Sequence, residues 1–176
     1  MRNSQKRIMI KALPDEYAEY TAEFERVGFK TVMSAFKKTH YTRYIPTICL
    51  SNIRDCNGVL IADHIWCNYT YDFSQYGELK PGDLFSFKAK PKHYTKGEYC
   101  DVDDYKLSQP KNVKLIAADH NIIPLPTSRE ELVGYSMIKA SHYRRWDNGG
   151  NEYVQPYIDA YYNWMDSQLA ELQLTC

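Results

Sequence analysis

Between Gly82 and Gly97 the chain places Lys88, Lys90 and Lys92 at alternate positions, followed by His93, Tyr94 and Lys96. An ammonium row of this kind neutralises phosphates and releases their counterions, and an exposed ring beside it stacks a base at roughly 1–3 kcal/mol. Arg43, Tyr44 and Lys106 offer the same chemistry elsewhere in the chain. The candidate nucleic-acid-binding set is therefore Arg43, Tyr44, Lys88, Lys90, Lys92, His93, Tyr94, Lys96 and Lys106. The lysines also have a purely structural reading, because charge on an outward strand face protects an edge strand from pairing with other chains.

Other groups suggest other chemistry. Asp101, Asp103 and Asp104, with Asp63 and His64, carry ligands for a divalent ion of the kind that assists phosphodiester cleavage. They have no loop glycine in calcium-site spacing, and a solvated acidic turn is the favoured reading. His142, Tyr143, Arg144, Arg145 and Trp146 could extend a nucleic-acid surface, or simply complement the end of a helix dipole. No Ser or Cys stands in recognisable spacing with His and an acid, and no glycine-rich phosphate loop is present. No catalytic residue, metal ligand or cofactor is assigned. The five cysteines are scattered and lack C-x-x-C spacing, so they read as reduced thiols.

Net charge is zero, but its distribution is uneven. Residues 26–118 hold 14 Lys/Arg against 9 Asp/Glu, while residues 119–176 hold 4 against 8. A cationic middle beside an acidic tail fits a chain whose central body meets a polyanion. Tyrosine, 16 of 176 residues, supplies apolar area with a polar handle, which suits recognition surfaces and half-wet interfaces. No apolar run is long enough to span a bilayer, and the basic start at Met1 lacks a signal-peptide core. The expectation is cytoplasmic residence without membrane contact.

These residues need elements to hold them. Pro14, Asp15 and Glu16 look like a helix start, and Tyr17, Tyr20, Phe24 and Val27 fall at helical spacing, so a helix is predicted from Pro14 to Gly28. Residues 31–118 read as β. Residues 43–53 form a strand, with Pro46 marking an edge or bulge. Asn57-Gly58 signals a hairpin, and the return strand 59–66 is apolar enough at its start to be central. Trp66 and His64 on it are expected inside. Residues 69–79 make a short helix or loop, and Pro81-Gly82-Asp83 turns the chain into the basic strand, with Phe85, Phe87, Ala89 and Pro91 inward and lysines outward. An acidic loop over 98–104 leads to further strand around Tyr105 and Leu107, then 113–117. Ser128 and Glu131 form a capping box for one helix. A last, aromatic-faced helix from about Pro156 is expected to pack on the β body.

Asp63-His64-x-Trp66, Gly82-Asp83, Phe87-x-Ala89, Tyr94-x-Lys96-Gly97 and Asp104-Tyr105-x-Leu107-x-x-Pro110 make residues 42–118 similar to uncharacterised OB-like β-barrel proteins of bacterial mobile elements and phages. The resemblance implies a small oligonucleotide-binding-type barrel and brings no established activity. The resulting expectation is an α+β single domain, residues 1–176. It has an OB-like barrel core at about 31–118, an N-terminal helix, and two C-terminal helices over about 127–174. The function expected is a non-enzymatic module for single-stranded RNA or DNA. One alternative is a mobile-element inhibitor, anti-CRISPR-like, that occupies a nucleic-acid-binding effector protein. Another is a metal-dependent nuclease using the acidic loop.

Overall fold

Alternation decides the first long element. From Glu19 to Glu25 acids and Thr21 alternate with Tyr20, Ala22 and Phe24, the latter three buried. This period of two builds a strand, β1 (Ala18–Phe36), where a helix over 14–28 was expected. Long-range pairing settles the choice, since Tyr20 and Ala22 lie opposite Phe87 and Phe85. Among the described residues the N-terminal helix is the single turn α1 (Ile8–Lys11).

The computed structural model describes residues 8–36, 39–96, 102–141 and 155–174. After β1 come β2 (Thr39–Asp55), β3 (Leu60–Asn68), α2 (Tyr71–Ser74), β4 (Leu84–Lys96), β5 (Val102–Ala117), α3 (Arg129–Ser141) and α4 (Gln155–Leu174). The strands form one five-stranded sheet in the order β3-β2-β1-β4-β5, with antiparallel β1–β4 and β4–β5 pairs. The chain is α+β. Among the described residues no helix is long and apolar enough to cross a membrane.

The order corrects the central placement of the return strand and the edge expectation at Pro46. The return strand expected at 59–66 is β3, at one end of the sheet and not its centre; Leu60 and Trp66 on it, and Val59 just before it, are exposed. Pro46 sits in β2, an interior strand; its carbonyl accepts a bond from the Tyr69 amide just past the end of β3. The hairpin expected at Asn57-Gly58 is present. Gly58 takes a φ of 78°, and Asp55 Oδ1 accepts from the amides of Asn57 and Val59.

The sheet contributes to two compact units. One comprises Met1–Arg26, Ile48–Cys67 and Glu78–Ile122; the other comprises Val27–Thr47, Asn68–Gly77 and Ile123–Cys176. The first buries Tyr20, Phe85, Phe87, Ile48, Leu50, Ile61, Ile65 and Leu107. Each such side chain contributes about 1.5–3 kcal/mol relative to exposure. A lock closes the end of this sheet. His120 Nε2 donates to Asp83 Oδ2 at 2.8 Å, its Nδ1 faces the Asn121 carbonyl at 3.0 Å, and the two side chains are 6% and 4% exposed. The Lys80 amide also donates to Asp83, at 2.8 Å. With both ring nitrogens facing acceptors, the imidazole is best satisfied as a cation. Its hydrogen bond to the Asp83 carboxylate, first, holds its pKa above the ordinary value.

The second unit centres on Phe29, Val133, Met137 and Ala140, against which Tyr44, Tyr157 and Ile158 pack. The expected helices are there, starting at Arg129 and Gln155. They approach closely at Gly134, where a Cβ would collide with the Tyr157 carbonyl oxygen. Tyr161 packs on Tyr135 at 5.6 Å and stacks on Trp164 at 5.8 Å, so the aromatic face of α4 is used largely against α3.

Candidate nucleic-acid interface

The basic strand alternates as expected: Phe85, Phe87, Ala89 and Pro91 are buried, while Lys88 and Lys92 are exposed and Lys90 is half-buried. Ser86, expected outside with the lysines, is buried at 9% exposure. β4 is an interior strand as far as Ala89. Over Leu84 to Ala89 it pairs with β1 on one side and β5 on the other, so edge protection does not account for Lys88. Beyond Ala89 the β4–β5 pair continues alone as a two-stranded ribbon.

Register decides what the lysines meet. Lys88 lies directly opposite Lys111, and Lys92 directly opposite Lys106. Directly opposed residues of an antiparallel pair share a face with Cβ atoms about 4.5–5.5 Å apart, and like charges there destabilise the sheet. Lys88 is also opposite Glu19 on β1. Lys90 reaches Asp15 at 3.5 Å, an exposed pair worth little. The face thus holds two lysine–lysine pairs in a ladder that would be more stable with opposite signs.

Aromatic rings stand among these cations. Lys106 Nζ lies 5.1 Å from the Tyr94 ring centre and Lys111 Nζ 3.3 Å from that of Tyr17. Tyr17 OH donates to Gln109 at 2.8 Å. Tyr94 OH donates to Asp104 at 2.9 Å, and His93 bonds Asp103 at 2.8 Å while meeting the Tyr105 ring edge-on at 5.3 Å.

These bonds revise the acidic loop. Asp103 and Asp104 stand in β5, paired with Thr95 and Tyr94. Neighbours on a strand point to opposite faces, so the two carboxylates diverge instead of converging on an ion. Among the described residues no three His, Cys, Asp or Glu side chains gather as a metal site requires. Glu98 and Asp101 lie outside the described residues, as do His142 to Trp146.

Lys88, Lys90, Lys92, Tyr94 and Lys106 are therefore brought together on one face of β4–β5, whereas His93, bonded to Asp103, belongs to the other face, and Lys96 pairs with Val102 farther along the ribbon. Arg43 and Tyr44 belong to the other unit. There Tyr44 packs against Phe29 and Tyr157, and with Arg43 and Arg129 it lines a cavity of about 140 Å³. Trp66, expected in the core, is 38% exposed with the Arg26 guanidinium 5.4 Å from its ring centre. His64 on the same strand is half-buried.

Sequence reasoning missed Lys111, Lys11, Tyr17 and Gln109. Lys111 was hidden by irregularity. β5 carries one extra residue relative to β4 at each of three places, between Leu84 and Phe85, Ser86 and Lys88, and Lys88 and Lys90. Asn112 and Gln109, both with φ of 53°, mark two of them. The only sequence signal was the cluster Gln109-Pro110-Lys111-Asn112, which reads more naturally as a turn.

No protein-family model, curated protein or solved structure matches this chain.

Proposed function

We propose that the chain is a non-enzymatic module that binds single-stranded nucleic acid along the outward face of β4 and β5. The observation that carries this reading is the pair of opposed lysines, Lys88 with Lys111 and Lys92 with Lys106. A polyanion laid between the strands turns that repulsion into attraction, one phosphate per ammonium, and Tyr17 and Tyr94 stand beside them for ring contacts. The architecture supports the same reading. Three strands precede α2 and two follow it, the connection an OB-type barrel uses, and bringing β3 to β5 would close the order β3-β2-β1-β4-β5 into such a barrel.

The test is fluorescence anisotropy with labelled DNA and RNA strands of about 15 nucleotides, a length that fills one site of this type. Binding should weaken steeply with salt and be lost when Lys88, Lys90 and Lys92 are together changed to glutamate. No binding of either strand at low salt would end the reading.

A second reading, an inhibitor of a nucleic-acid-binding effector acting through protein contact, is favoured by one feature. Tyr162, Met165 and Leu169 lie at i, i+3 and i+7 on α4 and are exposed. A host-lysate pull-down that survives nuclease treatment would favour it; loss of all captured protein on nuclease treatment would oppose it.

A further inference from the structure

Where α1 and the residues after it meet the β4–β5 ribbon, the first unit has a cleft of about 590 Å³. Ile10, fully buried, anchors α1 at its wall. The volume falls within the range of small-ligand pockets, about 300–1,000 Å³. Its lining is divided by chemistry. Lys11, Lys90, Lys92 and His93 line one concavity together with a single carboxylate, that of Asp15, which Lys90 meets at 3.5 Å. Leu13, Pro91 and Tyr105 supply an apolar wall, and Lys11 Nζ stands 6.0 Å from the Tyr105 ring centre. Ser108 and Gln109 add polar groups. The Gln109 carbonyl oxygen accepts from Tyr17 OH, and its amide nitrogen remains a donor.

We infer that this cleft takes a phosphate monoester carried on a flat heterocycle: a nucleoside monophosphate, either free or as the phosphorylated end of a strand. The excess of ammonium groups over Asp15 matches the double charge of a monoester better than the single charge of a diester. The apolar wall has no use for phosphate alone, and it accepts a ring that the Gln109 amide and Ser108 hydroxyl can meet at its edge. The strand-end source rests on the strand-binding reading above; the free source does not.

Calorimetric titration of the full chain at low salt tests this with adenosine and uridine monophosphates, adenosine, ribose 5-phosphate and inorganic phosphate. A thymidine oligonucleotide of about ten nucleotides, with and without a 5′-phosphate, completes the set. The monophosphates should bind with Kd below about 1 mM, and adenosine and phosphate each at least about tenfold more weakly. Lys11→Glu should weaken the monophosphates by about tenfold or more. Gln109→Ala should weaken them without changing binding of inorganic phosphate. Lys30→Glu, an exposed charge outside the cleft, should do neither.

A 5′-phosphate that strengthens oligonucleotide binding, with the gain lost in Lys11→Glu, identifies the strand end as the source. Monophosphate binding without any oligonucleotide binding identifies the free ligand, and removes the strand reading while leaving the cleft. No monophosphate binding up to about 5 mM, together with no effect of the 5′-phosphate, overturns the inference whether or not oligonucleotides bind. So does Lys11→Glu leaving every affinity unchanged while melting like the parent chain.

Discussion

Reversing one charge of an opposed pair should move binding and stability in opposite directions. Lys92 is the position of choice, being exposed and directly across from Lys106. Four lysines in two opposed pairs imply a salt slope of about −2.8 for a single strand, at about 0.7 per phosphate contact. A fourfold rise in salt then costs about 50-fold in affinity. Lys92→Glu removes one contact, so the slope should fall to about −2.1 and affinity at about 50 mM salt should drop roughly eightfold. The same change converts a repulsive cross-strand pair into an attractive one, a gain of about 0.2–1 kcal/mol. For a chain of this size that raises Tm by up to about 3 °C. Anisotropy across a salt series and a thermal melt read the two effects on one preparation. An unchanged slope and affinity in a normally folded variant would remove Lys92 from any anion site. A lowered Tm with unchanged slope would show that the lysine is structural.

Three further outcomes follow from the geometry. The His120–Asp83 bond raises the imidazole pKa above its ordinary 6.5, so its stabilisation is complete below that value and is lost as pH rises through the raised one. Tm should therefore decline across that interval, and His120→Gln should flatten the decline; parallel Tm–pH curves for the two proteins would refute it. Gly134→Ala should lower stability by about 1–3 kcal/mol in denaturant titration, because its methyl meets backbone and the helices must part. Gly58→Ala meets no atom within 4 Å but must hold a φ of 78°, so its cost should be smaller, about 1 kcal/mol.

The inward row of β4 was legible because each residue of a regular strand reports its own side, as Phe85, Lys88 and Ala89 do. β1 was misread because Tyr17, Tyr20, Phe24 and Val27 satisfy helical spacing while Glu19, Glu23 and Glu25 satisfy alternation, and local pattern could not choose between them. The partner chose: Phe85 and Phe87 offer Ala22 and Tyr20 a place in the core that a lone helix would have had to find elsewhere. β5 was divided in two because Pro110 and its polar neighbours resemble a turn, whereas bulging lets the strand carry them within one ladder. Exposure of Trp66 follows from its place on an end strand, and strand order is invisible to local composition.

The bulges also act as a phase correction. Lys106 and Lys114 have even numbers and Lys111 an odd one, so a perfectly regular strand would send Lys111 to the opposite face. The extra residue between Lys114 and Lys111 shifts the phase once, and the one between Lys111 and Ser108 shifts it back. Two errors cancel, and all three ammonium groups emerge on one side. Loss of a single residue on either side of Lys111 would leave composition and charge almost untouched, yet it would turn part of β5 inside out.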